Sequence, residues 1–371
     1  MSLRRTTATR FRLANHIIGA PAEPARWAEE PRLRDKGGFG EGRGVTVAVL
    51  DSGISRHPWL AGSYHQPLGL DASDLWDLSG AALPRHVGHG TFVAGLVLQY
   101  APATSLVSRR VVDLDGHADD ADLAAVINGL RQLNPDVINL SLSPEVEPGT
   151  VDEGTSQTLA AVRALQDECG TIFVVAAGNS GDQFPVEHLA PQDELTVVVG
   201  ALDLSGQPAW FSNTQFVNLW APGVDVISSF VHWNGLLAPN QPDDHDDGPD
   251  DGHQHGGHEH GHEHGGGHNN SAVAQRPGHH DPTPPAPAPA TRPVAPFAGW
   301  ARWNGTSFAA PAVTGAIAAE ISKLSSVTDP IQRRRFALDK VMDAARDIEV
   351  NGEKSKALTA APIALQGPPR G

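Results

Sequence analysis

The sequence predicts an α/β fold of three layers, with a mostly parallel central sheet between two layers of helices. Three observations carry this. Short β-branched apolar runs recur along the chain, and stretches with helical spacing separate them. The runs are apolar at nearly every position instead of alternating, as strands are when helices cover both faces of a sheet. The chain has 371 residues, 40% of them hydrophobic, which is enough for a substantial core.

In order, the strands are VTVAVLD (45 to 51), SLVSRRVV (105 to 112), DVINLSLS (136 to 143), TIFVVAAGN (171 to 179), LTVVVGAL (195 to 202) and VDVISSF (224 to 230). Between them, GHGTFVAGLV, DADLAAVINGLRQL and SQTLAAVRALQDE have helical spacing. WNGTSFAAPAVTGAIAAEISKL is a polar turn followed by a helix. Its small residues Ala309, Ala310, Pro311, Ala312 and Gly315 permit close approach to neighbours, which suits a central position. IQRRRFALDKVMDAARDI packs on the outside, with Arg333 to Arg335 read as a solvated face.

The apolar pattern breaks at about residue 231. Residues 245 to 280 hold ten of the 18 histidines, and residues 241 to 280 carry eight acidic groups against one arginine, a net of −7. Such a stretch buries too little apolar surface to offset its ordering entropy. The organisation expected is therefore an N-terminal extension over 1–40 and one folded domain over 41–371, interrupted by a disordered insertion over 232–299.

The formal charge of −16, nearly half of it in that insertion, argues against a nucleic-acid partner, which needs clustered Lys and Arg. Cys169 is the single cysteine, so no disulfide forms within the chain, and a packed, inert thiol is expected. No run approaches 18 apolar residues, which argues against a membrane span, and the N-terminus lacks the apolar stretch of a secretory signal. A cytoplasmic location is the expectation.

VAVLDSGI places Asp51 at the carboxyl end of a buried strand, where open parallel sheets gather functional groups. Alone, such an Asp is as often a cap or metal ligand. GHGTFVAGLV places His89 at a glycine-flanked helix start, and GTSFAAP places Ser307 at the head of a helix, where free N–H groups and the dipole favour negative charge. Alone, that Ser would be an N-cap, and Asn179 in VVAAGNSG a turn residue.

Together, VAVLDSGI, GHGTFVAG, AAGNSG and NGTSFAAP resemble the four signature segments of the subtilisin-like serine proteases, in the order Asp, His, Ser. INLSLS, LTVVVGALDLSGQPAWFSN and VNLWAPGVDVISS resemble family segments as well, so the similarity covers about 41 to 231 and 300 to 345. The resemblance implies a subtilisin-like α/β/α fold and a serine endopeptidase acting on proteins or precursor peptides. Ser307 would be the nucleophile, His89 the general base, Asp51 its orienting carboxylate and Asn179 the oxyanion donor. It also implies an extended substrate paired with Ser141, Leu142 and Ser143, the last standing where the family usually has Gly, and a primary pocket walled by Ala176, Ala177 and Gly178.

On the facing strand, Asp119 and Asp120 are read as favouring a basic residue upstream of the cut, against the alternative that they cap the helix beginning ADLAAVINGL. No cofactor is required. Many members bind a structural calcium through an Asp soon after the catalytic Asp and a loop in the helix after the catalytic His; here the first position is Trp59 and the helix has no loop, so the strong calcium site is expected to be absent. HGGHEHGHEHGGGH, with His258, His260, His262 and His264, has alternate imidazoles able to converge on a transition metal. Only 50 residues precede Asp51, too few for a full folding prodomain, and this resembles the intracellular branch, in which a short extension can block the cleft; Ile17, Ile18 and Pro21 are candidates for that role. The alternative function is a catalytically silent scaffold of the same fold that binds peptide or metal through its His-rich stretch.

Overall fold

A computed structural model describes residues 10–13, 24–27, 40–63, 76, 82–83, 85–113, 115–145, 156–182, 194–233, 236–237 and 297–359. Its strands are β1 (Arg10–Leu13), β2 (Ala25–Arg26), β3 (Thr46–Asp51), β4 (Ala82–Leu83), β5 (Ser105–Arg110), β6 (His117–Asp119), β7 (Val137–Leu140), β8 (Leu142–Glu145), β9 (Ile172–Ala176), β10 (Thr196–Leu202), β11 (Leu219–Pro222), β12 (Val226–Trp233), β13 (Leu236–Leu237), β14 (Phe297–Trp303), β15 (Arg346–Val350) and β16 (Glu353–Ala357). The helices are α1 (His89–Tyr100), α2 (Asp120–Gly129), α3 (Gln157–Cys169), α4 (Thr306–Lys323) and α5 (Pro330–Ala344).

The central sheet has the order β15-β16-β11-β10-β9-β7-β3-β5, parallel from β16 to β5 and closed at the other edge by antiparallel β15. Strand alternation sorts its side chains into two cores. Val47, Val49, Ile172 and Val174 share one core with Phe92, Val97, Phe308 and Val313 of α1 and α4, and with Ala337 and Val341 of α5. Ala48, Leu50, Ile138 and Phe173 share the other with Leu123, Ile127, Val162 and Leu165 of α2 and α3. These are the three layers expected from runs that are apolar on both faces. From β3 the chain continues to β5 on one side of it and later to β7 on the other, so a crevice opens beyond the carboxyl ends of β3 and β7, the usual place for a site in such a sheet.

Several expectations change. DVINLSLS is two strands: β7 ends at Leu140, the chain turns at Ser141, and β8 leaves for a second sheet of order β6-β1-β8. VDVISSF lies outside the central sheet. As β12 it pairs antiparallel with β14, which also holds β2, and LWAP (β11) takes its place beside β10. The sequence around residues 346–357 forms a β15–β16 hairpin, turned by Asn351 and Gly352 at positive φ.

The span of 232–299 is too wide for the insertion. His232 pairs with Ala298 and Trp233 with Phe297, because apolar and aromatic residues on both sides of the polar stretch close a hairpin; the residues between Leu237 and Phe297 lie outside the described set. The reading of Arg333 to Arg335 as wholly solvated also fails at Arg334, which is only 2% exposed. Its guanidinium donates to Asp136 Oδ1 at 2.8 Å, to Asn134 Oδ1 and O at 3.0 Å each, and to Cys169 O, tying α5 to the amino ends of the sheet. Cys169 is free and partly buried against the α2/α3 core.

Candidate active site

Asp51 ends β3 fully buried. Its Oδ1 accepts from the Ser52 N–H at 2.6 Å and from His89 Nδ1 at 2.7 Å. That bond fixes the His89 tautomer with its proton on Nδ1 and leaves Nε2 as the acceptor nitrogen. Nε2 is buried with no hydrogen-bond partner among the described residues. The approach of α1 to Asp51 depends on Gly90, whose position would bring a Cβ to 2.1 Å from Gly53 O and 3.2 Å from Asp51 Oδ1.

The second wall of the site is the head of α4. Ser307 is its second residue, completely buried, and Phe308 packs its ring on the His89 imidazole with centroids 5.2 Å apart. Trp303, at the end of β14, stands beside Phe308 at 4.9 Å and meets the imidazole edge on at 5.5 Å. The Asp51–His89 pair and the head of α4 thus meet at one aromatic cluster, though they come from positions 51, 89 and 306–308.

Asn179 follows β9, after Gly178 at φ +95°. Its Oδ1 accepts from the Thr306 N–H and Oγ1, both at 2.9 Å, and the Gly178 N–H donates to Thr306 Oγ1 at 3.1 Å. With its oxygen tied to the residue before Ser307, the Asn179 amide has Nδ2 as its remaining polar atom, a donor. Ala176 ends β9 and Ala177 follows it, both buried, with Gly178 next.

Behind Ser307 runs a buried polar chain that the motifs did not reveal. Thr314 Oγ1 donates to Asn139 Oδ1 at 3.0 Å, Asn139 Nδ2 donates to Ser141 Oγ at 3.0 Å, and Ser141 Oγ donates to the Ser307 carbonyl at 3.1 Å. The only sequence signal was Pro311, four residues after Ser307 in a helix, which removes the N–H that would bond that carbonyl. Ser141 Oγ therefore supports the turn that carries Ser307, and Leu142 and Ser143 open β8.

Asp120 departs from its expected role. It is 7% exposed and accepts from Ser156 Oγ at 3.0 Å and from the Gln157 and Thr158 N–H groups at 2.7 and 2.9 Å. The orphan N–H groups at the start of α3 claim this carboxylate, so it caps a neighbouring helix and is withheld from substrate. Asp119 is exposed at the end of β6, opposite Arg10 in register.

At the calcium position, the Trp59 ring packs edge on against Trp300 at 4.5 Å, and α1 runs unbroken for 12 residues. These residues do not fit an oxygen-ligated cation. His258, His260, His262 and His264 lie outside the described residues, as do Ile17, Ile18 and Pro21. Among the described residues no group of three or more His, Cys, Asp or Glu converges, and no helix is long and apolar enough to cross a membrane.

The chain is similar to known proteases. A "Thermostable alkaline protease" of Halalkalibacterium halodurans is 32% identical over 203 residues, 51% of this chain and 50% of that protein. Subtilisin BL of Lederbergia lenta is 29% identical over 205 residues, 51% of this chain and 67% of its own length. The chain spans about half the length of several curated relatives it matches, such as 46% of a thermophilic serine proteinase from Bacillus sp. strain AK1, 29% identical over 202 residues. Among solved structures, a lanthipeptide protease superposes with a TM-score of 0.57 at 20% identity, covering 84% of this chain and 83% of its own. A cold-adapted subtilisin-like serine proteinase does so at 0.51 and 22%, covering 86% and 89%. The model of the subtilase family matches residues 42–345, so the chain belongs to the subtilase family.

Proposed function

We propose that the protein is a serine endopeptidase that cleaves proteins or precursor peptides through an acyl-enzyme on Ser307. The observation that carries the reading is the 2.7 Å Asp51–His89 bond, made at an aromatic cluster shared with the head of α4. Ser307 Oγ attacks the scissile carbonyl carbon as His89 Nε2 takes its proton, and Asp51 stabilises the resulting imidazolium. Asn179 Nδ2 and the N–H groups at the start of α4 hold the oxyanion. Collapse expels the amine, protonated by His89, and water then opens the ester by the same route.

A fluorophosphonate probe tests this directly. It should label the chain at Ser307, and neither Ser307→Ala nor His89→Ala should label. A native chain that stays unlabelled would favour the silent scaffold. The buried, oriented dyad supports the active reading, since a scaffold has no use for an imidazole with a desolvated acceptor nitrogen. The reading requires no cofactor, and the cytoplasm remains its proposed compartment. Asp119 keeps the proposed preference for a basic residue upstream; a peptide library whose basic preference survives Asp119→Asn would remove it.

A further inference from the structure

The helix that opens with His89 lacks the usual N-terminal stop. Gly88 gives α1 no side-chain cap, and the first turn holds no acidic residue. Left to itself such an end frays, because its leading N–H groups have no helical acceptors. Bonds from other elements hold it instead. The Gly90 N–H donates to Ser52 Oγ at 3.0 Å, and Thr91 Oγ1 accepts from the Ser55 N–H at 2.8 Å. From β12, two adjacent hydroxyls reach the same turn: Ser229 Oγ donates to Thr91 O at 2.8 Å and Ser228 Oγ to Phe92 O at 2.7 Å. Both serines are fully buried.

Helix and strand meet where only glycine leaves room. A Cβ on Gly95 would fall 2.2 Å from Ser229 Oγ and 2.5 Å from Ser228 Oγ. Farther along α1, Gln99 Nε2 donates to Ile227 O at 2.9 Å. A helical carbonyl keeps a second lone pair after its bond within the helix, so the two hydroxyls add to the ladder and replace none of it. Losing them would orphan no backbone group, and folding gains little from them. What they fix is where the first turn of α1 lies. β12 is tied to the Ser307 side as well: Ser228 stands opposite Ala301, Ser229 opposite Trp300 and Val226 opposite Trp303 of β14. Where the chain runs on toward Ser307, the Asp225 N–H donates to Asn304 Oδ1 at 2.6 Å and the Gly305 N–H to Gly223 O at 2.8 Å.

We propose that Ser228 and Ser229 are positioning residues for the general base: they hold the first turn of α1 on the β12–β14 hairpin that carries the Ser307 turn, and so set His89 against Ser307. This rests on the endopeptidase reading. Neither serine touches the reacting atoms; each acts through the helix backbone two or three residues after His89. Proton transfer demands close, aligned partners, and a misplacement of about 1 Å can cost about 10²-fold in rate. A first turn freed from β12 loses part of that alignment, while substrate binding keeps its own contacts.

The test compares full chains, native and carrying Ser228→Ala, Ser229→Ala or both, on an internally quenched peptide that the native chain selects from a mixed library. Each single substitution should lower kcat about fivefold and the pair about 30-fold, with KM within about twofold. Fluorophosphonate labelling, which uses the same base, should slow by similar factors. Melting temperature should fall by only about 2 to 4 °C per serine. The control is Ser322→Ala, which removes a comparable hydroxyl at the far end of α4, bonded to the Gly42 N–H at 3.0 Å and to Ala319 O at 2.7 Å. Its kcat should stay within about twofold of native. A double variant that melts cooperatively with native kcat, a change confined to KM, or an equal loss in Ser322→Ala overturns the proposal. If the pair abolishes a cooperative melt, the single variants decide by the same criteria. A native chain that neither cleaves nor labels defeats the endopeptidase reading, and proton NMR then decides the clamp. The His89 Nδ1–H held by Asp51 should exchange with solvent about tenfold faster in the double variant, as expected for a loosened first turn; unchanged exchange overturns the proposal.

Discussion

Ser141 Oγ donates a 3.1 Å hydrogen bond to the main-chain carbonyl of Ser307, the acceptor that Pro311 leaves without its helical partner. Both residues are buried, so the bond holds the turn that carries Ser307, the proposed nucleophile. Ser141→Ala should orphan the carbonyl, costing about 1 to 3 kcal/mol. Its effect should fall on kcat more than on KM. Pro311→Ala returns a main-chain N–H to the same carbonyl, so the double variant should recover part of the lost kcat in steady-state assays; an additive double loss would refute the account.

Asn179 Oδ1 accepts from Thr306, and the proposed mechanism assigns the oxyanion to Nδ2 of the same amide. Asn179→Leu should lower kcat by about 10² to 10³, the magnitude known for removing this donor from subtilisin, and should leave KM nearly unchanged. Thr306→Val keeps the donor and removes one anchor, so its loss of kcat should be much smaller. Comparable losses in the two variants would mean that anchoring, and not oxyanion donation, dominates.

His57 is a buried neutral imidazole. It donates from Nε2 to Gly299 O at 2.9 Å and accepts at Nδ1 from the Trp59 N–H at 3.1 Å. Burial, reinforced by nearby His232 and partly opposed by the Gly299 bond, lowers its pKa from 6.5 to about 4. Between those values the unfolded chain binds more protons than the native one, so this contribution is complete above about pH 6.5 and is lost as pH falls toward 4. Melting temperature should drop by several degrees from pH 7 to pH 5. His57→Gln, which retains a donor for Gly299 O, should flatten that dependence; an unchanged slope would exclude His57 as its source.

Arg334 is the sole charge partner that the described residues give buried Asp136, whose Oδ2 also accepts from the Thr46 N–H at 2.9 Å. Arg334→Met strands that carboxylate and the carbonyls of Asn134 and Cys169, and should destabilise by about 3 to 5 kcal/mol in urea unfolding. Arg335 is exposed and pairs with exposed Glu194, so Arg335→Ala should cost under about 1 kcal/mol.

Chelation separates the two metal expectations. Removing calcium should leave the melting temperature unchanged within about one degree, because Trp59 and an unbroken α1 replace the oxygen ligands a calcium site needs. Zinc titration by calorimetry should show binding that disappears when residues 241–280 are deleted. Binding that survives the deletion would relocate the site to the folded domain.

Much of the site was legible because its residues sit at element ends whose local chemistry is written in short segments. Asp51 closes an apolar run, His89 opens a helix between glycines, and Ser307 follows a Gly-Thr turn; each motif specifies its own backbone turn within a few residues. The runs of β3, β9 and β10 were legible for a similar reason, since strands covered on both faces cannot alternate. DVINLSLS misled because nothing in its pattern marks the change of direction at Ser141, which is dictated by a carbonyl on a helix 166 residues away. Asp120 misled because its partners, Ser156, Gln157 and Thr158, lie more than 35 residues along the chain.

By itself, the sequence determined the layered α/β class, the family resemblance and the identity of Asp51, His89, Asn179 and Ser307, all of which follow from side-chain periodicity and local turn chemistry. Only the tertiary structure decided that Asp120 caps α3, that Ser141 holds the Ser307 carbonyl, and that Phe11 and Leu13 lie on a strand between β6 and β8. The physical reason is that a backbone edge or a buried polar atom accepts whatever partner the fold delivers, and its own neighbourhood in sequence does not name that partner.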